Sequence, residues 1–231
     1  MTEAEWLAAT DPKPMISFLR NRRLSDRKWR LFAVGCCRQI LNQSVDLRLQ
    51  GVVEVSERYA DKMATKSELS AALKRVQRVR SRFEKAHVTN GQQIERMIEP
   101  GNAPPLVVAT LNILGAVETA AYQGIDGVMC VPSFARRAIK VLGAELKDQV
   151  KLLRDIFPFR PLSFDPSWRT STVSALAQTM YDFRDFSAMP ILADALQDAG
   201  CDNEEMLAHC RDPKPVHVRG CWVVDAVLQR Q

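Results

Sequence analysis

Apolar residues along the chain recur at steps of three and four almost throughout, the period of a helix with one buried face. Trp29, Phe32, Ala33, Cys36 and Ile40 fall on one such face, and Leu49, Val52, Ser56, Tyr59, Ala60 and Met63 on a second. Leu69, Ala72, Leu73, Val76, Val79 and Phe83 form a third stripe, with Ser67 as the expected cap. Phe134, Ala138, Val141, Leu142, Leu146, Val150 and Leu153 predict one long helix that starts at Ser133. Leu106 to Tyr122 is the most apolar run, but Thr110, Asn112, Glu118 and Thr119 interrupt it, so it reads as a core helix and not a membrane span.

Start and stop signals agree with that period. Thr2 and Glu5 have the spacing of a capping box, as do Asp202 and Glu205. Gly200 is placed to end the helix before it. Pro12 and Pro14 interrupt the N-terminal pattern, and Pro213 and Pro215 break the chain before its last element. That element, within Val216 to Leu228, is helix or strand. The stretch from Phe157 to Trp168 combines three prolines with four aromatics and is expected to be a loop pinned by buried rings. Strand alternation is absent elsewhere. The expected fold is therefore all-α, an irregular multi-helix bundle of about eight to ten helices. The segment from Pro100 to Pro105 is the expected linker. It separates a basic helical half, 1–99, from a helical half, 105–231, that carries a Cys/His-rich end, and the two halves could also form one continuous domain.

Composition narrows the picture. The 231 residues are 46% hydrophobic, with 10 Gly and 12 Pro, which excludes a disordered or collagen-like chain. The net charge is +5, but its distribution is uneven. Arg20 to Arg38 carries +6 and Lys74 to Lys85 carries +5, so the rest of the chain sums to −6. At 100° per residue Lys74, Arg78, Arg82 and Lys85 line up opposite the apolar stripe of their helix. Arg22, Arg23, Arg27 and Arg30 precede or open another helix. Arginine and lysine neutralise phosphates and acidic surfaces, so these eight residues are the candidate docking face for a protein partner or a nucleic-acid backbone. DNA and RNA are not distinguished by charge. Trp29 lies on the apolar stripe and is expected in the core.

The start of the sequence has neither a basic n-region nor an apolar h-region, so a cytoplasmic chain with reduced thiols and no membrane contact is expected. It could belong to a larger complex. Cys36 and Cys37 are adjacent and cannot both face the same side of one helix. Toward the C-terminus lie Cys201, His209, Cys210, His217 and Cys221. Thiolate and imidazole are the donors zinc prefers, and four of these five would close a tetrahedral site. On a helix, His217 and Cys221 would share a face. The spacing matches no standard zinc finger. A Cys-dependent enzyme built from Cys210 or Cys221 with His217 and Asp225 has the right residue types but no recognisable nucleophile motif. P-loop, dinucleotide and HExxH signatures are all absent. The expected function is thus a non-catalytic interaction or accessory module, with a zinc-stapled binding protein and a Cys enzyme as alternatives.

Three phrases add a resemblance. LLRDIFPFRPLSFDPSW (152–168), PILADALQDAGC (190–201), and LAHCR followed by HVRGCWVVD (207–225) resemble an uncharacterised helical segment that recurs in planctomycete-type bacterial proteins. DRKWRLFAVGCCRQI (26–40) is similar to part of the same family. The resemblance implies a bacterial source and brings no catalytic residue with it.

Overall fold

Thr2 opens the first helix, α1 (Glu3–Ala8), in the way its spacing predicts. Its Oγ1 accepts from the Glu5 amide at 3.2 Å, and the Glu5 carboxylate accepts from the Thr2 amide at 2.7 Å. This computed structural model describes residues 1–22, 24–41, 47–87, 105–142, 147–160, 163–213 and 217–230. It is all-α, as the periodicity requires. Among the described residues helix accounts for 75%, ten helices have seven residues or more, and no strand occurs. The chain forms two compact units. One is Thr10–Val150; the other joins Met1–Ala9 to Lys151–Gln231. Of the expected linker Pro100–Pro105, residues 100–104 lie outside the described residues and Pro105 opens a helix; the described helices on either side belong to the same unit.

The larger unit contains α2 (Pro12–Arg20), α3 (Asp26–Leu41), α4 (Leu47–Ala60), α5 (Lys66–His87), α6 (Pro105–Ala120), α7 (Ile125–Val128) and α8 (Val131–Leu142). Helix α6 is its centre and packs against α3, α4, α5, α7 and α8. The polar residues that interrupt its apolar run all find partners. Asn112 donates to the Val108 carbonyl at 2.8 Å and Thr119 to the Gly115 carbonyl at 2.8 Å. Glu118 accepts from Arg80 at 2.6 Å and from Gln77 at 3.2 Å. Gly115 lets α8 come close: a Cβ there would lie 2.8 Å from the Phe134 ring.

Several local expectations shift. Pro12 and Pro14 sit in the first turn of α2, where a missing amide costs nothing, and Asp11 caps it. Thr65, not Ser67, caps α5, in a reciprocal box with Glu68. Met63 lies past the end of α4, beyond Lys62 at φ 61°, and is 65% exposed. The long helix expected from Ser133 is described as α8, which begins at Val131 and runs to Leu142, and α9 (Lys147–Ile156); residues 143–146, with Leu146 of the expected stripe, lie outside the described residues. Cys36 and Cys37 are both fully buried, because α3 is enclosed by α4, α6, α7 and α8.

The smaller unit holds α1, the end of α9, a 3-10 turn (Pro166–Trp168), α10 (Ser171–Phe183), α11 (Met189–Asp198), α12 (Glu204–Arg211) and α13 (Trp222–Val227). Met180, Tyr181, Leu192, Leu196, Met206 and Val224 lie in its core. The aromatic loop is pinned by its rings, as expected: Phe157 is buried, and Phe164 meets Trp168 edge-on at 5.5 Å. Gly200 ends α11 at φ 87°, a conformation glycine adopts without strain. Asn203, not Asp202, caps α12 by accepting from the Met206 amide at 3.0 Å. The last element is helix, not strand.

One device recurs in both units. The last carbonyls of a helix lack intrahelical donors, and an arginine supplies them. Arg30 does this beyond α6, Arg154 beyond α1, Arg219 at the end of α10 and Arg169 at the end of α13.

Candidate metal centre

Asp155 lies near the end of α9, on the face that also carries the buried Leu152 and Ile156. An acid on the apolar face of a helix needs partners, and three reach it. Its Oδ1 is 2.7 Å from Nδ1 of His217 and 3.2 Å from Nε2 of His209. Its Oδ2 accepts from the Val218 amide at 2.9 Å. Cys221 completes the group. Its Sγ lies 3.4 Å from Nε2 of His209 and 3.9 Å from Nδ1 of His217. One donor atom from each of Asp155, His209, His217 and Cys221 lies within 4.8 Å of all the others.

Each side chain is positioned by a different feature. Asn203 caps α12, which delivers His209 from its last turn. The His209 ring packs edge-on against His217 at 4.9 Å and tilts against Trp222 at 4.8 Å. His217 and Cys221 do not share a helical face as expected. They flank a turn, closed by the Cys221 amide donating to the Val218 carbonyl at 2.9 Å, with Gly220 at φ 100°. Cys221 is then the N-cap residue of α13.

A ring N–H points at one acceptor, and each of these two nitrogens faces both an oxygen and a sulfur. Four donor atoms gathered in this way are also the kind of set that can face one cation. Zinc bonds of about 2.0–2.3 Å in a tetrahedron set neighbouring donors about 3.3–3.8 Å apart. The four separations given above run from 2.7 to 3.9 Å.

The electrostatics also suit a cation. Burial raises the Asp155 carboxyl, but hydrogen bonds from His209 and His217, with their charges, outweigh it and hold the group below its usual range. Burial, reinforced by the Asp155 charge, pushes the Cys221 thiol well up. A bound metal would reverse that, because a coordinating thiol is deprotonated outright. The shell is largely covered. The side chains of Asp155, His217 and His209 are 0%, 6% and 13% exposed, and Cys221 is fully buried. A pocket of about 490 Å³, walled by Trp6, Phe157, Phe159 and Trp222, reaches Asp155 and His209. Because the Asp155 carboxylate is wholly covered, the pocket does not open onto that donor.

Three of the five metal ligands expected from sequence are thus brought together, and two are not. Cys201 and Cys210 fill the apolar core of the smaller unit. Burial pushes the Cys210 thiol up to about 12. The same burial argues against Cys210 or Cys221 as a nucleophile at neutral pH. Asp155 is the member of the cluster that sequence reasoning missed. Its signal was a carboxylate in register with Leu152 on an apolar stripe.

The expected docking residues also separate. Lys74, Arg78, Arg82 and Lys85 are all exposed along α5. Arg22 lies over the Phe18 ring at 4.3 Å, and Arg23 is outside the described residues. Arg27 pairs with the nearly covered Asp61 at 2.9 Å. Arg30 is 3% exposed and donates to the carbonyls of Ala120, Tyr122 and Gln123 at 3.0, 2.9 and 3.1 Å. Its place on a docking face is therefore corrected: its donors serve the end of α6.

No protein-family model, curated protein or solved structure matches this chain. No helix among the described residues is long and apolar enough to cross a membrane.

Proposed function

We propose that this is a zinc-stapled binding protein, in which Asp155, His209, His217 and Cys221 hold one structural zinc ion that fixes the smaller unit. The observation that carries this reading is the convergence of four donor atoms within 4.8 Å from three separate stretches of chain. Mixed nitrogen, sulfur and oxygen donors in a four-fold set suit zinc. A full set of protein ligands in a covered shell favours a structural ion over a catalytic one, which keeps a position for water or substrate. All four donors fall inside the phrases that carry the bacterial resemblance: LLRDIF, LAHCR and HVRGC.

A staple is useful here. The smaller unit is built from short helices, and α13 has six residues and α1 has six. Helices this short are unstable alone and depend on tertiary restraint. The metal would tie the end of α9 to the end of α12 and the start of α13. Metal analysis of the purified chain tests the reading, with about one zinc per chain expected. Loss of zinc on chelation should lower the melting temperature, because metal binding to the folded state is folding free energy. A well-folded chain that takes up no zinc would sink the assignment.

A further inference from the structure

The face of α5 that looks away from the core carries Lys74, Arg75, Arg78, Arg82 and Lys85, all exposed. Ser81 and Gln77 lie between them. No acid shares this face. Of the two acids on α5, Glu68 is bound by Arg58 and Thr65, and Glu84 by Arg80. Arg80 itself is turned aside to Glu118. No ion pair engages Lys74, Arg78, Arg82 or Lys85 among the described residues. Buried Leu69, Ala72 and Val76 anchor the opposite side of the helix, so the row is held on a rigid support.

We propose that this row binds the phosphate backbone of duplex DNA without reading its sequence. From Lys74 to Lys85 the helix rises about 16 Å. B-form DNA carries one charge per about 1.7 Å of axis, so the row meets a dense anionic surface along its whole length. The chemistry of the face selects this partner over others. A protein interface draws most of its energy from buried aromatic or aliphatic anchors, and none of the exposed large hydrophobics lies on this face. Single strands need aromatic platforms for their bases, and this face of α5 carries none. B-form DNA has a major groove about 12 Å wide that admits a helix between its phosphates, whereas the major groove of duplex RNA is deep and narrow.

The test is fluorescence anisotropy of the full chain with a labelled random-sequence DNA duplex, titrated from about 50 to 200 mM salt. Four neutralised phosphates predict a log–log salt slope of about −3.6, and so a loss of about 150-fold in affinity over that range. The double variant Arg78→Glu with Arg82→Glu should bind at least about tenfold more weakly and reduce the slope by about two. A control with Lys13→Glu and Lys140→Glu changes the net charge equally at exposed positions off the row, and should bind nearly as the wild type does. Circular dichroism checks folding. If the Glu variant fails to fold, the Arg78→Gln, Arg82→Gln pair should still reduce the slope by about two. Wild-type affinity in either folded row variant overturns the proposal. So does an equal loss in the control, or the absence of wild-type binding at low salt. Tighter capture by single-stranded DNA, by an RNA duplex or by polyglutamate overturns the choice of partner.

Discussion

Replacing Asp155 by Asn keeps the shape of the side chain and removes its charge, which makes it the sharpest probe of the metal centre. The carboxylate bonds His217, His209 and the Val218 amide at 2.7, 3.2 and 2.9 Å and has no solvent exposure. Two parts of the cost can be separated. Without metal, the change weakens charge-assisted hydrogen bonds worth about 1.5–3 kcal/mol each. With metal, it also removes an anionic ligand. Even an orienting partner outside the ligand shell is worth about 10–100-fold in metal affinity, so about 100-fold is a conservative figure for a ligand. At free zinc about 1,000 times the wild-type Kd, zinc adds about 4.1 kcal/mol to the wild type. A 100-fold weaker variant gains only about 1.4 kcal/mol at the same zinc, which leaves a zinc-dependent deficit of about 2.7 kcal/mol. For a chain of this size that is about 5–11 °C in melting temperature. The assay is thermal unfolding of both proteins in buffered zinc and in excess EDTA. The gap between them should be wider by that amount in zinc. An equal gap in zinc and in EDTA would refute the reasoning, because the centre would then be a hydrogen-bonded cluster and not a metal site.

Other expectations follow from the same geometry. Arg30→Met should cost about 2 kcal/mol in denaturant unfolding, since it removes the donor of the Tyr122 and Gln123 carbonyls and leaves the Ala120 carbonyl to Ser56 alone. The folded variant should bind duplex DNA as the wild type does; stability within about 0.5 kcal/mol of wild type would contradict the capping role. Cys130 is exposed and the other five cysteines are buried, so the native chain should show one fast-reacting thiol, removed by Cys130→Ser. A second fast thiol in that variant would revive a nucleophilic role for the C-terminal cysteines.

Much of this was legible in the sequence, and the failures have physical causes. The helix period identified the buried stripes of α3 and α5 because side chains at three- and four-residue spacing must share a face. Caps slipped by a residue or two, at Thr65 and Asn203, because several neighbouring side chains had cap chemistry and backbone geometry chose between them. His209, His217 and Cys221 were recognisable by donor type. Asp155 was not, because its partners come from a distant stretch of chain and only the fold joins them. Arg30 counted as positive charge like any other arginine. Nothing local distinguishes a solvated guanidinium from one that closes a helix end ninety residues away.

The central claim rests on the metal, and elemental analysis tests it most directly. The chain should be purified without added metal or a metal-affinity step and measured by inductively coupled plasma mass spectrometry beside His217→Ala. The account predicts about one zinc per wild-type chain, lost with EDTA, and little in the variant. A folded wild-type chain that carries no zinc and takes up none from buffered zinc would contradict it.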